Sequence, residues 1–418
     1  MTCVTAISLS LILVVARSSF VPYLAKPLCP GERCVKSAAL YWLRVKSTRR
    51  DHLRQLAAAA LALAAPRCLR GQNQAPAHLP SLRKAAAAVG ISYGSASDNW
   101  FRNEPPGYQQ LFVRQCALYA PILSWEDVAP TPDGENDQYD PNTAVALDAG
   151  LKITGAHLLW YLRTPPWLEK LPRDQAEQAV ATHIARIAGF YRGRVFSWNV
   201  INEAIEPPQK GPDGLRMNSP LVRALGTDFF ATAFRQARAA DPGALLLYNE
   251  YDLDLDVPWQ QARRDALFRL LDRLQKANAP IDGVGLQSHL KYRQFSDFHE
   301  QQYRGFLHAL AARGLKIVIT ELDVDDIGLP SDIAARDQAV AGVYARFLAV
   351  ALDEPALAAL VTWGICDAYS WHNHTQWFPE YTRADHLPQR PLLFDANFQP
   401  KPSFYAVLNA LRHAPKRR

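Results

Sequence analysis

Phe196-Ser197-Trp198-Asn199-Val200-Ile201-Asn202-Glu203-Ala204 is a strand-like apolar run, Phe196–Ile201, that carries a glutamate just beyond its end.

 The three preceding runs are Ile91–Ser95, Gln115–Leu118 and Lys152–Leu159, and four more follow at Leu245–Asn249, Gly283–Gln287, Lys316–Thr320 and Val361–Ile365. Between them lie longer segments with apolar residues at helical spacing: Val180, Ile184 and Ile187; Phe230, Phe234 and Ala237; Leu267, Leu270, Leu271 and Leu274; Tyr303, Phe306, Leu307 and Leu310; Val340, Val343, Tyr344, Phe347 and Leu348. Such stripes mark helices that bury one face. Eight strand–helix units predict an α/β fold, a (β/α)8 TIM barrel forming a single catalytic domain over residues 78–418. A doubly wound sheet would carry a glycine-rich phosphate loop after its first strand, and Tyr93-Gly94-Ser95-Ala96-Ser97 is no such loop.

The chain has 418 residues and a formal charge of +6, but the charge is unevenly placed. Residues 1–75 hold eleven Lys and Arg residues against only Glu32 and Asp51, which leaves the remainder mildly acidic. An acidic body has no electrostatic footprint for nucleic acid, so none is expected as a partner. Four of the six cysteines also fall in the leader, leaving Cys116 and Cys366, which read as buried free thiols rather than a disulfide framework. No CxxC pair, His/Cys cluster or phosphate loop implies a metal or cofactor.

Within the leader, residues 1–77, Arg49-Arg50 precedes an apolar run from Leu56 to Ala65 and then Ala75-Pro76-Ala77. That order resembles a twin-arginine export signal over about 45–77, with residues 1–44 an over-extended start. The apolar run is shorter than the roughly 20 residues a membrane span needs, so export without stable membrane insertion is expected. The mature domain is expected to be a monomer.

Catalytic groups of such barrels project from the C-terminal ends of the strands. The fourth strand delivers Glu203 there, and the seventh delivers Glu321 through Ile319-Thr320-Glu321-Leu322-Asp323. A lone glutamate at a strand end is most simply a salt-bridge partner. Two on one rim suit a retaining glycosidase, whose carboxyls stand about 5–5.5 Å apart, one protonating the leaving oxygen and the other attacking the anomeric carbon.

The motifs around both glutamates resemble glycoside hydrolase family 10, the endo-β-1,4-xylanases. The resemblance covers roughly residues 90–410 and includes Gly283-Val284-Gly285-Leu286-Gln287-Ser288-His289, Thr362-Trp363-Gly364-Ile365-Cys366-Asp367, Ser370-Trp371 and Pro391-Leu392-Leu393-Phe394-Asp395. It implies Glu203 as acid/base and Glu321 as nucleophile, in a retaining enzyme acting on internal β-1,4 linkages of xylan or a related polysaccharide. It also implies that Asn202 donates to the sugar 2-hydroxyl, and that His289 and Gln287 support the nucleophile and the acid/base respectively. Trp167, Trp363 and Trp371 would form apolar walls for sugar faces. Trp160 and Tyr161, at the end of the third strand, are further candidates for contact with substrate.

The sequence departs from the family on the glycone side. Where the family has Glu-Asn-Glu-Met-Lys-Trp, this chain has Ala120-Pro121-Ile122-Leu123-Ser124-Trp125, and the family's histidine and glutamine after the third strand become Tyr161 and Arg163. Each lost hydrogen bond should cost roughly 0.5–1.5 kcal/mol of binding to plain xylose. Arg163 would either meet an acidic substituent of a decorated exopolysaccharide or pair with a neighbouring carboxylate. Glu250, within Tyr248-Asn249-Glu250-Tyr251-Asp252 where the family has Asn-Asp-Tyr-Asn, reads equally as structural, solvated or a catalytic helper. A carbohydrate-binding protein on a degenerate hydrolase barrel is the alternative from another class, but decay would remove the carboxylates first.

Overall fold

The computed structural model describes residues 78–97, 105–122, 124–132 and 141–417. The leader and its expected export signal lie outside the described residues. The described residues form nine parallel strands: β1 (Ser92–Ser97), β2 (Leu118–Pro121), β3 (Lys152–Trp160), β4 (Val195–Asn202), β5 (Leu245–Glu250), β6 (Gly283–Leu286), β7 (His289–Lys291), β8 (Lys316–Asp325) and β9 (Leu357–Thr362). Eight of them close into a ring, because β1 pairs with both β2 and β9 while β6 pairs directly with β8. This is the (β/α)8 barrel.

The ninth strand comes from an interruption of the sixth. Ser288 adopts left-handed backbone (φ 59), so the chain leaves β6 and resumes one step outward as β7. There it pairs with the C-terminal extension of β8, setting His289 opposite Asp323.

Alternation along the strands sorts the core into two layers. Tyr119, Leu246, Tyr248, Ile317, Ile319 and Leu360 belong to the large cluster shared with the helices. Their sequence neighbours Leu118, Ala120, Leu247, Val318, Ala359 and Val361 form a separate cluster, which fills the barrel interior. The helical stripes behave as expected: Val180, Ile184 and Ile187 are buried on helix Arg173–Phe190, and Leu267, Leu270, Leu271 and Leu274 on helix Pro258–Lys276. Cys116 and Cys366 are buried free thiols.

Two strand expectations need correction. Gln115 is not in the second strand; it ends helix Pro106–Gln115, where its buried side chain accepts from the Leu82 amide and donates to the Pro80 carbonyl. The last strand ends at Thr362 rather than Ile365, since Gly364 at φ 113 breaks the extended backbone. Trp363 therefore lies on the loop above the barrel. The long segment after β9 is tied down by buried ion pairs, with Asp326 held by Arg336 and Arg383, and Asp367 by Lys401 at 2.9 Å. No described helix is long and apolar enough to cross a membrane.

Candidate active site

Glu203 follows β4 directly, and its backbone is left-handed (φ 60). For a residue with a side chain this costs roughly 1–3 kcal/mol, so surrounding contacts must hold it. Its carboxyl, in a residue only 5% exposed, accepts from Trp160 Nε1 at 2.7 Å and from Gln287 Nε2 at 3.0 Å. Both donors are neutral, so they can hold the carboxyl in place whether or not it carries a proton.

Glu321 lies within β8 and has a different cradle. Oε1 accepts from Asn249 Nδ2 at 2.9 Å, and Oε2 faces His289 Nε2 at 3.3 Å. His289 Nδ1 in turn lies 2.9 Å from Asp323 Oδ1. Burial disfavours charge on this imidazole, but the Asp323 carboxylate and the hydrogen bonds to both carboxylates outweigh it, raising His289 from 6.5 to about 10. The imidazole is therefore a cation at neutral pH. Asp323 is held below the usual carboxylate range: burial works against this, and the charges of His289 and His372 with the hydrogen bonds from His289 and Trp371 overcome it.

Asn249 joins the two halves of the site. Besides Glu321 it donates to Asn202 Oδ1 at 2.7 Å, and its own carbonyl oxygen accepts from Thr320 Oγ1 at 2.8 Å. Room for it depends on Gly285 of β6, where an added Cβ would stand 2.2 Å from Asn249 Oδ1 and 2.9 Å from Thr320 Cγ2. Asn202 is thus oriented by its oxygen, and its buried Nδ2 has no hydrogen-bond partner among the described residues. An unpaired buried donor costs about 1–3 kcal/mol, a penalty that a substrate hydroxyl would relieve.

The sequence-based candidates divide clearly. Glu203, Glu321, Asn202, His289, Gln287 and Trp160 come together in one hydrogen-bonded constellation. Trp371 joins it by donating Nε1 to Asp323 Oδ2 at 2.7 Å, and both Trp363 and Trp371 present edge contacts to the His289 ring, at 6.1 and 5.2 Å between centroids. Tyr161 does not join. It is fully buried, facing outward against Phe229 and Phe230 of the helical layer, because it follows an inward-pointing Trp160. The expectation that Tyr161 contacts substrate is corrected on that ground. Trp167 is half-buried and packs on Trp125, with its Nε1 on the Ala129 carbonyl, so its contacts are with the loop after β2.

Arg163 is resolved in favour of the carboxylate pair. It is 3% exposed and bridges Glu126 (3.1 Å) and Asp127 (2.7 Å), tying the loop after β3 to the loop after β2. Ser124 caps the short helix Trp125–Val128 by accepting from the Asp127 amide. Glu250 is fully buried, which removes the solvated reading, and burial pushes its carboxyl up to about 7 against the opposing pull of Arg263 and the Tyr248 hydroxyl.

Sequence reasoning missed His157. Thr154 Oγ1 bonds Ser197 Oγ, and His157 Nδ1 lies 3.3 Å from Asn199 Nδ2, so residues three apart on β3 meet residues two apart on β4. Only a bulge allows this, and Gly155 (φ 67) sits where the register shifts. His157 then packs on Trp160 at 4.9 Å between centroids; burial lowers it to about 4, with Glu203 opposing, so it is a neutral imidazole. The glycine before it was the available signal.

Residues 81–410 match glycosyl hydrolase family 10. Endo-1,4-beta-xylanase B of Thermotoga neapolitana is 28% identical over 344 residues, covering 81% of this chain and 93% of the relative. Endo-1,4-beta-xylanase 1 of Humicola insolens is 30% identical over 341 residues, covering 79% of this chain and 74% of its own length. Among solved structures, native xylanase 10B from Thermotoga maritima superposes with a TM-score of 0.69 at 28% identity, covering 79% of this chain and 98% of that one. A closed barrel, two differently cradled glutamates on its rim and a match spanning nearly the whole described chain agree: this chain belongs to glycosyl hydrolase family 10.

Proposed function

We propose that the chain is a retaining endo-β-1,4-xylanase in which Glu203 is the acid/base and Glu321 the nucleophile. The observation that carries the assignment is the unlike surroundings of the two carboxyls. Glu321 lies against an imidazolium, a cationic neighbour that suits an attacking carboxylate, whereas the Glu203 carboxyl is held by the neutral donors Trp160 and Gln287, which suit a group that passes a proton to the leaving oxygen.

In the first step Glu321 attacks the anomeric carbon while the Glu203 proton passes to the glycosidic oxygen, and the aglycone sugar leaves with its hydroxyl restored. In the second, Glu203 takes a proton from water, the resulting hydroxide adds to the same carbon, and Glu321 departs as carboxylate. Asn202 Nδ2, a buried donor without a partner among the described residues, donates to the 2-hydroxyl of the sugar at the cut and fixes that sugar in the site. Trp363 and Trp371 supply the apolar wall beside it. The leader directs export, and the mature domain works as a monomer.

The test is hydrolysis of xylan by the protein and by Glu321→Ala. Loss of released reducing ends in the variant, together with a first product of β-configuration by NMR, is the expected outcome. An active Glu321→Ala protein, or an α-configured first product, would reject the assignment.

A further inference from the structure

Glu250 cannot touch substrate, since it is fully buried, yet both oxygens of its carboxyl are occupied, one of them by the turn that follows Glu203. Oε2 accepts from the Ile205 amide at 3.0 Å and from the Tyr248 hydroxyl. That same hydroxyl oxygen accepts from the Ala204 amide at 3.2 Å. Oε1 takes Arg263 Nη2 at 2.6 Å and the Tyr251 amide at 3.2 Å. The two amides immediately after Glu203 are therefore held, one directly and one through Tyr248, by a single buried carboxylate.

The other side of the turn is closed by a second ion pair. Arg216 donates Nε to the Glu203 carbonyl at 3.2 Å, while its Nη2 bonds Glu206 at 3.0 Å and the Tyr251 hydroxyl at 2.8 Å. Arg263, stacked on the Tyr251 ring at 4.1 Å, links the pairs by reaching Glu206 at 3.7 Å. A left-handed glutamate persists only where its neighbours over-determine it. Here the determining groups are Glu250 and Arg263, on β5 and the helix after it.

We propose that Glu250, braced by Arg263, is the positioning residue of the acid/base: by holding the Ala204 and Ile205 amides it keeps Glu203 in its left-handed turn and its carboxyl aimed between Trp160 and Gln287. This rests on the reading of Glu203 as acid/base. A positioning role has a specific signature. An aryl glycoside with a poor leaving group needs proton transfer from Glu203, whereas a dinitrophenyl glycoside leaves without it.

The experiment compares kcat/KM on phenyl and dinitrophenyl β-xylobiosides for the wild type, Glu250→Gln, Glu250→Asp and Tyr248→Phe, with Glu203→Ala as reference. Glu250→Gln should lose about ten-fold or more on the phenyl substrate and less than about three-fold on the dinitrophenyl one, within the range that general acid catalysis supplies. Glu250→Asp, one methylene short of spanning Ile205 and Arg263, should do the same. Tyr248→Phe keeps the ion pair, so it guards against simple misfolding and should show the same pattern with smaller amplitude. Equal losses on both substrates, or none, in folded variants would overturn the proposal. If instead Glu203→Ala itself loses equally on both substrates and gives no glycosyl azide with added azide, the acid/base reading fails first.

Discussion

Asp323→Asn should turn His289 from a fixed cation into a group that titrates near neutrality. The wild-type imidazole rises from 6.5 to about 10, chiefly because Asp323 outweighs burial. At about 1.36 kcal/mol per unit, the difference corresponds to about 4–5 kcal/mol between the charged and neutral forms. The sign follows from linkage: with the folded value above the unfolded one, this stabilisation is fully present below about pH 6.5 and lost as pH rises through about 10, by about 1.4 kcal/mol per unit. Asp323 itself is depressed in the folded state, so its contribution is constant over that range. Asparagine can still accept from His289 Nδ1, and Glu321 still attracts the cation, so 4–5 kcal/mol is the upper bound on the loss. Urea unfolding at about pH 6.5, 8 and 9.5 should show the wild type and variant far apart at the lowest value and converging upward. A stability gap independent of pH across that window would refute a charged His289. The kcat/KM of the variant should also decline through neutral pH, as Glu321 loses its cationic neighbour.

Three further outcomes follow from particular contacts. Gly285→Ala should reduce kcat by more than about ten-fold while costing about 1–3 kcal/mol of stability, because the new methyl displaces Asn249 from between Asn202 and Glu321; kinetics alongside a melt would check both. Tyr161→Phe removes a buried hydroxyl without a partner among the described residues and should leave activity unchanged with stability equal or higher by up to about 1 kcal/mol, so a fall in xylan hydrolysis would restore Tyr161 to the cleft. Arg163→Gln should lower stability by about 1–2 kcal/mol, discounted because Glu126 and Asp127 are about a third exposed, and should not alter preference for uronic-acid-bearing xylan over plain xylan.

How much was legible depended on range. The strand runs and helical stripes came from local periodicity, and their order set the barrel; the errors, at Gln115 and after Thr362, fell at element ends, where a buried side-chain bond or a positive-φ glycine decides. Glu203 and Glu321 were legible because strand ends in this fold share one rim. The inward face of Asn249 and the outward face of Tyr161 are not legible in the sequence, since which face a residue shows depends on register and bulges that spacing alone does not reveal.

From sequence alone came the barrel and the two glutamates at its strand ends. Only the tertiary structure decided which carboxyl sits beside a cation, that Arg163 is spent on Glu126 and Asp127, and that Glu250 braces the turn bearing Glu203. The physical reason is that composition and periodicity report what a segment does with its own backbone, whereas the charge state and aim of a buried group are set by partners tens to hundreds of residues away.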